Sequence, residues 1–150
     1  MSAPTIFVDA DACPVKEEVY KVARRSGCPV QVVANSFIRV PPGVQLTVVD
    51  AGPDVADDWI AERVRPGDII VTNDIPLASR ALKADGFALG ANGKPFTTSS
   101  IGAVLAQREL MEHMRSFGEI TGGPKPFTQA DRSRFLSALD AAVQKAKTKR

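Results

Sequence analysis

The sequence is poor in the side chains that several kinds of site require. It has one histidine, His113, and two cysteines, Cys13 and Cys28, with no partners at zinc-ligand spacing. A zinc finger and a disulfide framework are therefore excluded, and free thiols suit a reducing compartment. Aromatic residues make up only 6% of the chain, and no RNA-recognition motif or stacked aromatic pattern is present, so any nucleic acid would be held mainly through its phosphates. No apolar run is long enough to cross a membrane. Met1–Thr5 carries no basic cluster, and Ile6-Phe7-Val8 stops at Asp9, so neither a signal peptide nor a span is expected and the protein is placed in the cytoplasm.

Charge of one sign is also scarce, the net value being +2, too little to advertise a nucleic-acid binder by itself. Its distribution is uneven. Residues 1–100 hold 10 Lys/Arg against 12 Asp/Glu, whereas residues 101–150 hold 9 against 5. The late excess reads either as a phosphate-facing surface or as a solvated, flexible basic tail over residues 145–150. A chain of 150 residues with 44% hydrophobic content buries one sizeable core, so a single domain over residues 1–150 is expected.

Strand-length apolar runs alternate with helix-period segments over the first ninety residues, the pattern of βα units closing a largely parallel sheet. Thr5–Asp9, Pro29–Asn35, Val44–Asp50, Asp68–Thr72 and Phe87–Gly90 read as strands. Pro14 suits the first turn of a helix that shows Val15, Val19, Val22 and Ala23 on one face and stops at Gly27. Asp54 is placed to cap a second helix with Ala56, Trp59, Ile60 and Val64 in its stripe, and Pro76 opens a third. Asn92-Gly93 marks a turn, Ser99 or Ser100 can cap a long helix to about Phe117, and Thr128 or Asp131 can start the last one.

Ligands of parallel α/β sheets bind beyond the C-terminal ends of the strands, where this pattern puts Asp9 and Asp11 after the first strand and Asp74 after the fourth. Asp57 shares a helix face with Ile60, Ala61 and Val64, so it can turn toward the same mouth, while Asp58 looks solvated. Crowded carboxylates repel one another unless a cation neutralises them, and hard oxygen donors favour Mg²⁺ or Mn²⁺ over zinc. The same residues also fit plainer roles: Asp9 and Asp74 as helix caps, Asp54 or Asp57 as charges that complement a helix dipole.

Val8-Asp9-Ala10-Asp11-Ala12-Cys13-Pro14-Val15-Lys16, Asp54-Val55-Ala56-Asp57, Gly67-Asp68-Ile69-Ile70-Val71-Thr72-Asn73-Asp74-Ile75-Pro76-Leu77-Ala78 and Thr121-Gly122-Gly123-Pro124 together resemble the YaiI/YqxD family of bacterial proteins. That family is similar to PIN-like nuclease domains. The resemblance covers nearly the whole chain and implies a PIN-like three-layer α/β/α fold with a mostly parallel central sheet. It further implies a divalent-metal-dependent nuclease or phosphodiesterase acting on RNA or DNA. Asp9, Asp57 and Asp74 match the metal-holding positions of PIN-like enzymes, and Asp11 is an added catalytic candidate. A further acidic position usual in the C-terminal part of such domains has no assigned counterpart here.

Lys16, Arg39 and Lys125 are candidates for neutralising substrate phosphates. Thr121-Gly122-Gly123 forms either a backbone nest for a phosphate or a tight turn.

Other readings compete. A noncatalytic nucleic-acid-binding or regulatory module could keep the fold and its metal pocket. An Asp-x-Asp after a first strand also opens phosphatases of the haloacid dehalogenase type, but those need a late Gly-Asp and a further aspartate at a strand's C-terminal end, and here Gly67-Asp68 precedes the strand. Cys13 is either a thiol activated at a helix N-terminus or, the preferred reading, a small packing residue. His113 reads as structural or surface-exposed. The sequence leaves protein partners and oligomeric state open.

Overall fold

The computed structural model describes residues 3–10, 13–52, 54–102 and 127–149. Six strands form one sheet in the order β3-β2-β1-β4-β5-β6. They are β1 (Ile6–Asp9), β2 (Val30–Ala34), β3 (Val44–Val48), β4 (Ile69–Val71), β5 (Phe87–Leu89) and β6 (Pro95–Phe96). The first five are parallel and β6 returns antiparallel to β5. Helices α1 (Lys16–Ser26), α2 (Val55–Ala61) and α3 (Ile75–Lys83) join the parallel strands, residues 98–102 are helical (α4), and α5 covers Gln129–Lys149.

Strand alternation divides the interior between two faces. Ile6, Val8, Val32, Ile69, Val71 and Leu89 pack with Val15, Val19 and Val22 around α1 and with Phe135, Leu139, Val143 and Ala146 of α5. Phe7, Val33, Ile70 and Ala88 pack on the other side with Ile60 of α2, Leu77 and Ala78 of α3 and Ile101 of α4. The result is the mostly parallel three-layer α/β/α arrangement expected of a PIN-like chain. No helix among the described residues is long and apolar enough to cross a membrane.

Helix ends follow local chemistry with some changes of residue. Gly27 takes the left-handed conformation (φ 73°) that closes α1, as its position predicts. Helix α4 is capped by Thr97 rather than Ser99 or Ser100. The Thr97 N–H donates to Ser100 Oγ at 2.8 Å and the Ser100 N–H to Thr97 Oγ1 at 3.0 Å, a reciprocal box. Thr128 and Asp131 make the same exchange at the start of α5. Asp54 precedes α2 but its backbone is left-handed (φ 67°) and its side chain makes no cap bond, so the expected Asp54 cap is not formed.

Residues 145–149, expected as a flexible basic tail, are helical. They continue α5, because Ala146 extends the stripe of Phe135, Leu139 and Val143 into the core and Lys147 Nζ donates to the Ser26 carbonyl at 2.7 Å. Strand β6 was absent from the pattern. It pairs two residues only, Ala88 with Phe96 and Leu89 with Pro95, across the turn at Asn92-Gly93.

Asp68 is one of two buried polar residues among the described residues, only 3% exposed. Its carboxylate accepts from the Thr5 N–H at 3.0 Å and the Arg65 N–H at 2.9 Å, tying the entry to β1 to the loop before β4. Removing it leaves two partly buried donors without that acceptor. Asp68→Ala is expected to cost about 2 kcal/mol in urea unfolding, and an unchanged midpoint would show that water replaces the carboxylate without loss.

Candidate functional site

The sheet order reverses between β1 and β4, so the crevice beyond their C-terminal ends is the topological switch point where ligands of such sheets bind. Val8 pairs with Val71, which brings Asp9 and Thr72 side by side just past the last ladder position. Asp9 shares the parity of Phe7, and Thr72 that of Ile70, so both lie on the α2/α3 side of the sheet. Thr72 Oγ1 donates to Asp9 Oδ2 at 2.9 Å and accepts from the Asp74 N–H at 2.9 Å. One buried hydroxyl thus links the two aspartates.

Asp74 caps α3: its Oδ1 accepts from the Leu77 N–H at 2.9 Å. Capping and a place in the crevice turn out to be compatible. Asp57 sits in the first turns of α2 with Ile60 buried and Ala61 and Val64 packed against the same core. Burial first, then the charges of Asp74 and Asp9, a hydrogen bond with Asp74 and the charge of Asp54 raise the Asp57 carboxyl to about 6. The structure therefore brings Asp9, Asp57 and Asp74 into one interacting group. Asp58, on the outer side of α2, pairs instead with Arg80 Nη1 at 2.6 Å.

Three carboxylates with hard oxygens suit Mg²⁺ or Mn²⁺ in donor chemistry. The geometry is looser than a closed cage. Among the described residues no three His, Cys, Asp or Glu side chains are disposed to hold one ion, and Asp9 and Asp74 each give an oxygen to a protein donor.

Of the phosphate candidates, Lys16 lies in the first turn of α1 with Nζ donating to the Cys13 carbonyl at 2.9 Å, and Arg39 is exposed beyond β2. Asp11, Gly122, Gly123, Lys125 and His113 lie outside the described residues. Cys13 is a packing residue whose thiol is pushed up chiefly by burial, with Asp9 and Glu18 adding to the rise against the lowering by the Val15 backbone and Lys16. Asp68, at the entry to β4 beside Thr5, is far from the end of the strand where a dehalogenase-type phosphatase needs its aspartate.

The sequence pattern alone does not mark Thr72 or Asn73 as site residues. Asn73 Oδ1 accepts from the Ala91 N–H at 3.0 Å and ties the loop after β4 to the loop after β5. The available signal was position: a Thr at a strand's C-terminal end, two residues before a capping aspartate and in phase with the inward-facing Ile70.

An α/β/α domain with a carboxylate group at its switch point is thus the class defined by fold and site. The model of the family described as "Uncharacterized BCR, YaiI/YqxD family" matches residues 7–145. A "UPF0178 protein" of Caulobacter sp. (strain K31) is 63% identical over 144 residues, 95% of each chain. One from Rhodopseudomonas palustris (strain HaA2) is 59% identical over 152 residues, covering 99% of this chain and 93% of its own. No solved structure matches. The chain belongs to the YaiI/YqxD family.

Proposed function

We propose that the chain is a divalent-metal-dependent phosphodiesterase acting on RNA or DNA, with Mg²⁺ or Mn²⁺ held at Asp9, Asp57 and Asp74. The observation that carries this reading is the grouping of Asp9 and Asp74, linked through Thr72 beyond the ends of β1 and β4, with Asp57, whose carboxyl burial and the charges of Asp74 and Asp9 push up to about 6. Converging carboxylates cost stability unless a cation compensates them, and the crevice is where parallel sheets of this kind bind ligands. When bound, the ion supplies charge neutralisation at a phosphoryl oxygen and acidifies a water.

The chain's own groups prepare the site for that chemistry. Thr72 fixes Asp9 and the Leu77 N–H fixes Asp74, so two carboxylates are oriented before any ligand arrives. Asp57 changes protonation near pH 6, so loading the site below that pH displaces a proton and weakens apparent metal affinity. Lys16 keeps further N–H donors beyond the one given to Cys13, and with Arg39, Lys125 and the Gly122-Gly123 backbone it would meet substrate phosphates.

The test compares the protein with Asp9→Asn on single-stranded and duplex RNA and DNA in Mg²⁺, Mn²⁺ and chelator. Cleavage that needs the metal and is lost in the variant is expected. Metal should also raise the melting temperature of the parent protein, by about 2.7 kcal/mol of stabilisation at one hundred times the dissociation constant, with a weaker response at pH 5 than at pH 8. No cleavage and no thermal response would overturn the reading. A thermal response and steeply salt-dependent binding without turnover would instead favour the noncatalytic module.

A further inference from the structure

The segment leaving β2 alternates in a way the sequence pattern does not reveal. Ile38 and Val40 pack against the core on the α1/α5 face, while Arg39 between them and Phe37 before them are exposed. Phe37 is 80% exposed. Exposing a phenyl ring forgoes the stabilisation that its burial would give, and this ring is not on loose chain: Ala34 is buried behind it and Ile38 anchors the chain ahead. Arg39 makes no ion pair among the described residues and, alternating with the inward Ile38 and Val40, is exposed like the ring two residues before it.

Phe37 follows β2, which ends beside the end of β1 that carries Asp9. Val33 pairs with Asp9, and the four residues after it, Ala34 to Phe37, leave the same edge of the sheet. Chain length and strand spacing bound the Cα separation of Phe37 and Asp9 at about 20 Å. An exposed aromatic face two residues from an exposed cation, within that distance of a phosphate-directed site, has the chemistry that holds an unpaired base and its backbone. In a duplex the base faces are already covered by their neighbours.

We propose that Phe37, together with Arg39, is a stacking platform for an unpaired base of a single-stranded nucleic acid whose backbone runs to Asp9, Asp57 and Asp74. The proposal rests on the phosphodiesterase reading and names its substrate as single-stranded. Phe37 supplies the base contact and Arg39 the phosphate attraction, so the two should separate by their salt response.

Binding of a short fluorescein-labelled, cleavage-resistant phosphorothioate oligothymidine, and of the same strand in duplex, is measured in Mg²⁺ by anisotropy for the parent protein, Phe37→Leu, Phe37→Trp and Arg39→Ala. Phe37→Leu should weaken single-strand binding about tenfold with an unchanged salt slope, Phe37→Trp should retain it, and duplex binding should be unaffected by either. Arg39→Ala should lower the salt slope by about 0.7. The exposed position predicts an unchanged melting temperature for Phe37→Leu, so lost binding is not lost folding. Equal single-strand affinity of Phe37→Leu and parent overturns the platform, even where metal-dependent cleavage lost in Asp9→Asn sustains the enzyme. Phe37-dependent binding without any cleavage sustains the platform and overturns the enzyme. No binding to either probe overturns the platform.

Discussion

Asp57→Asn is expected to reduce metal-dependent cleavage by about a hundredfold or more, since the ion's contribution to transition-state charge is worth several kcal/mol, while making the metal-free protein more stable. The second half of that result follows from the raised carboxyl. Its folded value of about 6 stands above the ordinary 3.8, so between roughly pH 4 and pH 6 the folded protein keeps a proton that the unfolded chain has lost. Stability in chelator therefore falls as pH rises through that window and levels off above about pH 7. The shift would nominally approach 3 kcal/mol, but the carboxyl is in good part open to water, and screening reduces this to about 1 kcal/mol. Asn removes the charge yet can still donate to Asp74, so the substituted protein should show a flatter stability profile and exceed the parent by about 1 kcal/mol at pH 8. Identical pH profiles in chelator would show that the carboxylates do not burden one another, and the case for a compensating cation would lose its physical basis.

The parallel core strands were legible because each is an apolar run bounded by turn residues. Ile69-Ile70-Val71, buried on both faces, could be read as a strand from composition alone. The face of Asp57 was legible from its spacing to Ile60, Ala61 and Val64, and Asp9 and Asp74 from the rule that places ligands beyond strand ends. What escaped depends on partners distant in sequence. Strand β6 is two residues long and exists because β5 offers an edge; nothing in Pro95-Phe96 alone specifies it.

Thr72 matters because β1 and β4 are neighbours, a fact of topology rather than of local sequence. The last turns of α5 looked like a solvated basic tail because lysines at 145, 147 and 149 mask a single buried Ala146 and a Lys147 that reaches back to Ser26. Phe37 is the converse case. Its exposure is visible only once Ile38 and Val40 are seen to take the inward positions, and a low aromatic content had argued against any stacking surface.

Gly93→Ala is expected to cost about 3–4 kcal/mol, which for a chain of this size lowers the melting temperature by about 10 °C. Two penalties combine there. Gly93 holds φ +84° in the turn between β5 and β6, a conformation in which a side chain costs about 1 kcal/mol or more. A methyl group would also sit 2.8 Å from the Arg134 carbonyl carbon, 2.9 Å from its oxygen and 2.9 Å from the Phe135 nitrogen. These are backbone atoms of α5, so no side-chain rotation relieves the overlap. Either the turn or the helix must move, and the helix carries Phe135 and Leu139 in the core. Gly43 separates the two penalties, because it has φ +88° with nothing within 4 Å of the added carbon. Gly43→Ala should therefore lose only about 1 kcal/mol. The turn also bears on the crevice, since the Ala91 N–H bonded to Asn73 lies two residues before Gly93 and next to the loop that presents Asp74. Thermal and urea unfolding of both variants decide the matter: equal losses at Gly93 and Gly43 would mean that α5 does not press on the turn, and that the close approach of helix and hairpin is not what fixes this side of the fold.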